Sequence, residues 1–464
     1  MLSPFQIFSF YAQRQSYWTN QQREVFPACF VKPTTAQEVS NVVKTLVSNQ
    51  CQFALRSGGH SPIKEWSSIQ GGVTLDLSDF KGVEISSDRK SVNLRPGNLW
   101  ADVYTELEAQ GLETSGGRVA TVGVGGLVTG GGISYFGREK GMVCDNVLEF
   151  EVVLVNGTIV TASSTSHTDL FRALKGGSGN FGIVTCIKMK TFEYSGKMWG
   201  GTLFHKTDEA TRSKLFNYYA DSYATSAADS KAHWIHSWSF VNALVVKIWA
   251  VTSNIQHASD TTSTPDIFKP ITGSDVTLFS TAKASKLTEQ AQQMADLNPA
   301  GSRQLFATLT FRNSAAFMEE FYKLAEANVQ EIRNTLGLEF TISFQSIPYA
   351  AHKQSAAAGG NSLGLEDERD DLVVALLTAT WTLGLDDAAV NRVAKNLFTQ
   401  GHVHAEELGV AKKFMYLNYA AQFQDPIANY GADSVARLRA IASQYDPNGV
   451  FRTLVPGGFK IPAA

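Results

Sequence analysis

The chain has 464 residues, too many for one ordinary hydrophobic core, and suits two domains or one discontinuous domain with a second. A formal charge of −3 excludes the electrostatic footprint of a nucleic-acid binder and a polybasic membrane surface, so neither nucleic acid nor membrane is expected as a partner. With 44% hydrophobic and 11% aromatic residues it reads as globular with a ring-rich interior, and no window approaches the roughly 18 uninterrupted apolar residues of a membrane span.

The opening residues Met1 to Tyr11 lack a basic region and a long apolar stretch, so no signal peptide is read; the chain stays inside the cell, or a leader is missing from this sequence. Cys29, Cys51, Cys144 and Cys186 are far apart and form no C-x-x-C pair, which argues against a zinc site and a disulfide scaffold. Cys29 and Cys51 open neighbouring β-type runs and could come close, but buried free thiols are expected. A strand is predicted over Ala28–Lys32, then a helix from Thr35, where Thr35 and Glu38 form a capping box and Val39, Val42, Val43, Leu46 and Val47 share one face. A second strand, Phe53–Arg56, runs straight into Arg56-Ser57-Gly58-Gly59-His60-Ser61. Two bare glycines at a strand end let backbone N–H groups close around a phosphate, with an imidazole beside them, where α/β folds hold ligands.

Val73–Leu77 and Val92–Arg95 read as strands, and Leu99–Gln110 as a helix that stops at Gly111. From Gly116 to Gly132, eight of 17 residues are glycine, too many for a helix or a paired strand interior. Such a stretch is read as backbone held open for close approach to a flat or phosphorylated ligand. The hairpin 149–162 turns at Asn156-Gly157, which accounts for the Asn156-Gly157-Thr158 sequon without a sugar. A helix, Asp169–Leu174, leads to a third cluster, Lys175-Gly176-Gly177-Ser178-Gly179-Asn180-Phe181-Gly182, and a strand, Ile183–Lys190.

After residue 195 the texture changes to long β-type runs and helices without glycine clusters. Strands are predicted over Ala243–Val251, Gln304–Phe311, Phe340–Gln345 and Leu372–Thr382, and helices over Ser314–Leu336 and Asp386–Thr399. The aromatics from Trp234 to Trp249 are expected in the core of this sheet. Residues 351–370 read as a long loop, a lid or, on the plainer reading, a mobile surface excursion. The chain closes with Tyr416-Leu417-Asn418-Tyr419, a helix over Ser434–Gln444 and a stop at Asp446-Pro447-Asn448. The fold class is α+β: a glycine-rich part, 1–195; an antiparallel sheet covered by helices on one face, 196–405; and a returning segment, 406–464.

Several chemistries find no support. Val122-Gly123-Val124-Gly125-Gly126 offers G-x-G, but the third glycine of a Rossmann fingerprint falls wrongly, and no Walker motif exists. His233 and His236 do not share a strand face, His402-x-His404 lacks further ligands, and no metal is expected. No G-x-S-x-G elbow appears. Three glycine-rich segments in one region suggest a long, diphosphate-bearing ligand gripped along its length.

Five segments in order, Arg56 to His60, Thr121 to Gly126 with Gly130 to Gly132, Gly179 to Val184, Tyr416 to Tyr419 and Tyr445 to Asn448, carry a resemblance. They are similar to the berberine bridge enzyme-like FAD-linked oxidases, of the vanillyl-alcohol oxidase or PCMH-type flavoprotein superfamily. The resemblance implies a two-part PCMH-type FAD-binding domain, a substrate domain and covalent FAD. His60 stands where the family bonds an imidazole to the 8α-methyl of the flavin. Arg56, Ser57, Gly58, Gly59 and Ser61 would hold the pyrophosphate by backbone amides. Thr121, Val122, Gly123, Gly125 and Gly126 would pass near the flavin ring, and Gly182, Ile183 and Val184 near the adenosine. Asn418 would face the ring, and Tyr419 would be the catalytic base, although a phenol titrating near 10 needs a neighbouring cation or hydrogen bonds for that task.

The departures from the family pattern matter too. Val119 occupies the position of the cysteine that makes a second flavin bond in many relatives, so FAD is expected to be mono-covalent through His60. Leu127 replaces a frequent histidine, and Cys144 stands where relatives have alanine and reads as a packing residue. The resemblance implies an FAD-dependent oxidase that removes a hydride and a proton from a small organic substrate, a secondary metabolite in kind, and passes the electrons to O2, giving H2O2. A small side chain at Val122 permits oxygen access. The alternative is an FAD-containing cyclase with no net redox change, using its pocket for positioning.

Overall fold

The computed structural model describes residues 4–243, 246–273 and 275–463. Among them the strands form four sheets. The first is parallel, with Val73–Asp76 lying between Cys29–Val31 and Phe53–Arg56. Helix Ala36–Ser48 connects its outer strands and buries Val39, Val43 and Leu46 against Phe53 and Leu75. Its cap differs slightly from a reciprocal box: Thr35 Oγ1 accepts from Glu38 N at 3.1 Å, while the Glu38 carboxylate reaches back to Thr34 N at 2.7 Å.

A five-stranded antiparallel sheet follows, in the order Val83–Ile85, Ser91–Leu94, Ile183–Lys190, Val147–Val153 and Ile159–Ser163. The Asn-Gly hairpin is present: Gly157 has φ +78°, and Asn156 Oδ1 accepts from Thr158 N at 2.9 Å. A short two-stranded sheet pairs Leu112–Glu113 with Phe192–Glu193.

The largest sheet is antiparallel and nine-stranded. Its centre runs Met198–His205, Val246–His257, Ala232–Ala243, Glu339–Ile347, Leu372–Trp381 and Arg303–Arg312. Side-chain alternation divides its faces. Trp234, Trp238, Phe344 and Leu377 point into a core shared with helices Glu209–Tyr218, Ala315–Val329 and Asp387–Glu407. Ser237, Ser239, Thr341, Ser343 and Thr378 occupy the other parity and line a cavity against the glycine-rich part. The last long helix, Ala432–Tyr445, returns to that part, where Tyr445 Oη donates to Asp169 at 2.9 Å. Pro447 blocks its continuation, and Asp446 accepts from Val450 N and Phe451 N, both at 2.8 Å, to start the next turn.

Several expectations need correction. The run Ala243–Val251 is a hairpin rather than one strand, because Ala232–Ala243 and Val246–His257 pair antiparallel; residues 244 and 245 lie outside the described residues. The helix from Ser314 ends as α-helix at Val329 and tightens into a 3-10 turn, whereas the one from Asp386 continues to Glu407. Residues 351–370 are no free excursion. Asn361, Ser362 and Leu363 are buried, Asn361 donates to Asp145 at 3.0 Å, and Leu363 packs between Gly131 and Gly176. All four cysteines are unpaired, but Cys29 is exposed and Cys51 and Cys186 are half-buried; Cys144 alone among them is fully packed.

The glycine-dense stretch contains one short helix, Val124–Thr129, against the expectation of none. Its glycines serve packing as well as openness. A Cβ on Gly123 would stand 2.5 Å from Gly58 N, and one on Gly58 would stand 2.6 Å from Gly123 N, so two backbones touch here with no room for a side chain. Gly123→Ala should push the loops apart and destabilise the apoprotein by about 1–3 kcal/mol. The control is Gly126→Ala, whose Cβ meets nothing within 4 Å. A melting curve should show a lower Tm for the first and an unchanged Tm for the second.

Candidate active site

The strand Phe53–Arg56 delivers the segment 57–61 to one end of the cavity. Arg56 is 3% exposed, and its guanidinium faces away from solvent toward Asp76 at 3.4 Å and Ser16 Oγ at 2.8 Å. It also donates to the Gln13 and Ser16 carbonyls and lies over the Tyr17 ring, so its side chain anchors the N-terminal helix to the loop. Gly59 has φ +66°, which turns the loop back on itself. The N–H groups of Gly58, Gly59, His60 and Ser61 donate to no described residue, so four neutral donors in succession remain for a ligand.

His60 stacks on Trp18, with ring centroids 4.1 Å apart and planes 12° off parallel, and its Nε2 lies 3.2 Å from Thr121 Oγ1. The ring borders open space yet is densely surrounded by protein, and burial pulls its pKa down to about 4. It is neutral at physiological pH, with one nitrogen lone pair available. Trp18 is fixed in turn: its N–H donates to Gly59 O at 3.1 Å and its Nε1 to Asn298 O at 3.0 Å.

The returning segment supplies the opposite wall. Leu417–Tyr419 form a 3-10 turn. Asn418 Nδ2 donates to Leu127 O and to Tyr416 Oη, both at 3.1 Å, and its carboxamide oxygen occupies the space a Cβ on Gly130 would need. Asn418 is thereby locked against the glycine-dense stretch. Tyr419 Oη accepts from Arg118 Nη2 and donates to Gln345 Oε1 at 3.1 Å. Arg118 also contacts His233 Nε2 at 3.1 Å. A guanidinium can only donate, so this nitrogen of His233 is the acceptor. That fits a neutral ring, since burial and then the Arg118 charge hold His233 well below the usual histidine range. Arg118 is 7% exposed and has no carboxylate partner among the described residues.

These residues border one cavity of about 600 Å³. All of the predicted cofactor positions line it except Thr121, which reaches it through its bond to His60. Gly182 has a structural reason as well, because a Cβ there would come 2.4 Å from Val152 Cγ1. Gly126 and Gly179 are bare toward open space, with at most one atom within 4.0 Å of a would-be Cβ. Val119, Val122 and Leu127 also border the cavity. No group of His, Cys, Asp and Glu among the described residues could hold a metal ion, and His402 and His404 lie on an exposed helix beside Glu406 and Glu407.

Residues 27–163 match the protein family described as FAD binding domain. The FAD-dependent monooxygenase drtC of Aspergillus calidoustus is 37% identical over 94% of this chain and 83% of its own length. The FAD-dependent monooxygenase CTB5 of Cercospora nicotianae is 32% identical over 96% of this chain and 99% of its own. Among solved structures, 6-hydroxy-D-nicotine oxidase of Arthrobacter nicotinovorans superposes with a TM-score of 0.79 at 19% identity, covering 98% of this chain and 96% of the other. The berberine bridge enzyme-like protein 1 of Physcomitrella patens does so with 0.78 at 19%, covering the same shares.

The chain belongs to the FAD-dependent flavoprotein family of drtC and CTB5, and it shares the fold of the berberine bridge enzyme-like proteins. It is an FAD-dependent redox enzyme that acts on an organic substrate with the involvement of O2. The site suits this cofactor: four unpaired N–H donors for a diphosphate, bare glycine backbone along the cavity and a neutral imidazole beside it.

Sequence reasoning missed Arg118, Gln345, His233 as the Arg118 acceptor, and Trp18. Arg118 had a signal, as the only charged residue in the glycine-dense stretch. The others had none, because their roles depend on strand register and on contacts distant in sequence. His233→Phe should strand one arm of the buried guanidinium and destabilise the fold by about 1–3 kcal/mol. Urea unfolding would measure this, and an unchanged midpoint would contradict the pairing.

Proposed function

We propose that this flavoprotein is an oxidase, with FAD attached through His60 alone, that takes a hydride and a proton from a small organic molecule. The observation that supports it most is the Tyr419 hydroxyl, held between Arg118 and Gln345 on the cavity wall. When bound, FAD supplies a two-electron acceptor whose N5 takes the hydride and which O2 reoxidises with release of H2O2.

The protein's own part is to manage protons and charge. Tyr419 acts as base through its phenolate oxygen, against which Arg118 places a whole positive charge. Gln345 can turn its amide so that NH2 rather than oxygen meets that atom, since only the hydrogen-bond partners set its orientation. His233 and the bond from Tyr135 Oη to Arg118 O, at 3.1 Å, keep the guanidinium in place. His60, neutral and stacked on Trp18, offers its nitrogen to the 8α carbon. The segment Arg56 to Ser61 holds the diphosphate through its N–H groups, Thr121 to Gly126 the ring, and Gly182 to Val184 the adenosine end. Val119 provides no thiol for a second bond, and the short side chain of Val122 leaves room for O2 at the ring.

The names of the curated relatives favour a second reading, monooxygenation, in which one atom of O2 enters the product and the other leaves as water, with two electrons and two protons supplied by a reduced nicotinamide or by the substrate itself. Turnover in labelled dioxygen separates the two. An oxidase releases one H2O2 per product and incorporates no label; labelled product without H2O2 would replace the oxidase reading. Product formed anaerobically while the flavin stays yellow would indicate cyclisation instead.

Two further results are expected. Acid-precipitated, washed protein should be yellow and the His60→Ala pellet colourless; a white wild-type pellet would overturn the covalent assignment. Tyr419→Phe and Arg118→Met should each slow flavin reduction by substrate about 100-fold or more, with flavin content unchanged. Full activity in Tyr419→Phe would remove it as the base.

A further inference from the structure

A diphosphate brings two negative charges into the cavity, and the donors at Gly58 to Ser61 are neutral. Three cationic side chains line this cavity: Arg56, Arg118 and Lys460. Arg56 is paired with Asp76 at 3.4 Å, and Arg118 is committed to Tyr419 and His233. Lys460 has no hydrogen-bond or ion-pair partner among the described residues.

The strap that carries Lys460 is firmly placed. Phe459 packs edge-on against Trp66 with centroids 4.5 Å apart, and its carbonyl accepts from Asn180 Nδ2 at 3.0 Å. Arg439 Nε donates to Pro462 O at 2.8 Å beyond it. Trp66 continues the loop that follows Ser61, and Asn180 belongs to the third glycine cluster, so Lys460 lies between two of the segments that border the cavity. A Cβ on Gly458 would stand 4.0 Å from Lys460 Nζ, so the ammonium folds back along the strap at the cavity wall. Burial lowers its pKa to about 8. A half-buried ammonium at the cavity wall without a counter-charge is less favourable than one in open water until a ligand brings one.

We propose that Lys460 is the counter-charge of the FAD diphosphate, contributed by the C-terminal strap opposite the neutral donors of the Gly58 to Ser61 loop. The proposal rests on the FAD assignment. It is tested in the His60→Ala background, where FAD is held without a covalent bond, by titrating apoprotein with FAD and with riboflavin, which lacks the diphosphate. Lys460→Met should weaken FAD binding about tenfold or more and leave riboflavin within twofold, while Lys460→Arg should stay near the parent for both. Unchanged FAD affinity in Lys460→Met, or an equal fall for FAD and riboflavin, would overturn the role of Lys460. Failure of the parent to bind FAD at all would overturn the cofactor assignment itself.

Discussion

A buried guanidinium without a carboxylate constrains the active site more than any other contact. Removing such a charge from water costs several kcal/mol unless each of its donors is met. The Arg118 guanidinium finds acceptors in two other parts of the chain, Tyr419 from the returning segment and His233 from the large sheet, while Tyr135 Oη holds its backbone carbonyl. The glycine-rich part, the sheet and the C-terminal segment are therefore drawn to one point. None of these partners neutralises the charge. In a region of low effective dielectric, positive potential is left at Tyr419 Oη, the atom proposed to act as base.

Glycine has two opposite uses around this point. At Gly58 with Gly123, Gly130 with Asn418 and Gly182 with Val152, the absent Cβ is replaced by another protein atom, and the result is closure. At Gly126 and Gly179 the absent Cβ is replaced by almost nothing, and the result is exposed backbone along the cavity. The first kind makes the second possible. Only when the two loops touch at Gly58 and Gly123 does the backbone on either side face one common space. A dense run of glycine is thus no direct count of ligand contacts.

What could be read in the sequence was local. The Thr35 cap, the Asn156-Gly157 hairpin, the strand Phe53–Arg56 with its glycine turn and the strand Ile183–Lys190 each depend on residues adjacent in the chain. The hydrogen-bonded group around Arg118 does not: Arg118 and Tyr419 are 301 residues apart, and Arg118 and His233 115 apart. The hairpin at 243–246 was hidden because strands on both sides keep the same alternation, so the apolar pattern runs through the turn. The segment 351–370 misled by composition. Its small residues read as a loop, yet Leu363 fills the space left by Gly131 and Gly176, a fit that no local pattern records.

The large sheet separates stability from recognition by parity alone. Even-numbered residues of Ala232–Ala243 and Glu339–Ile347, such as Trp234, Trp238, Ile342 and Phe344, form the core with the helices. Their odd-numbered neighbours face the cavity and include short hydroxyl residues that pair across strands: Ser237 with Ser343 at 2.7 Å, and Thr341 with Ser239 at 2.8 Å. In each such pair one hydroxyl donates to the other, so one O–H and several lone pairs remain free toward the cavity. Apart from Glu339 at the strand end, that wall is uncharged, and its hydroxyl pairs can reverse donor and acceptor by rotating, without moving backbone. Changes on the odd positions can therefore alter what the cavity accepts while the even positions, and the fold they hold together, stay as they are.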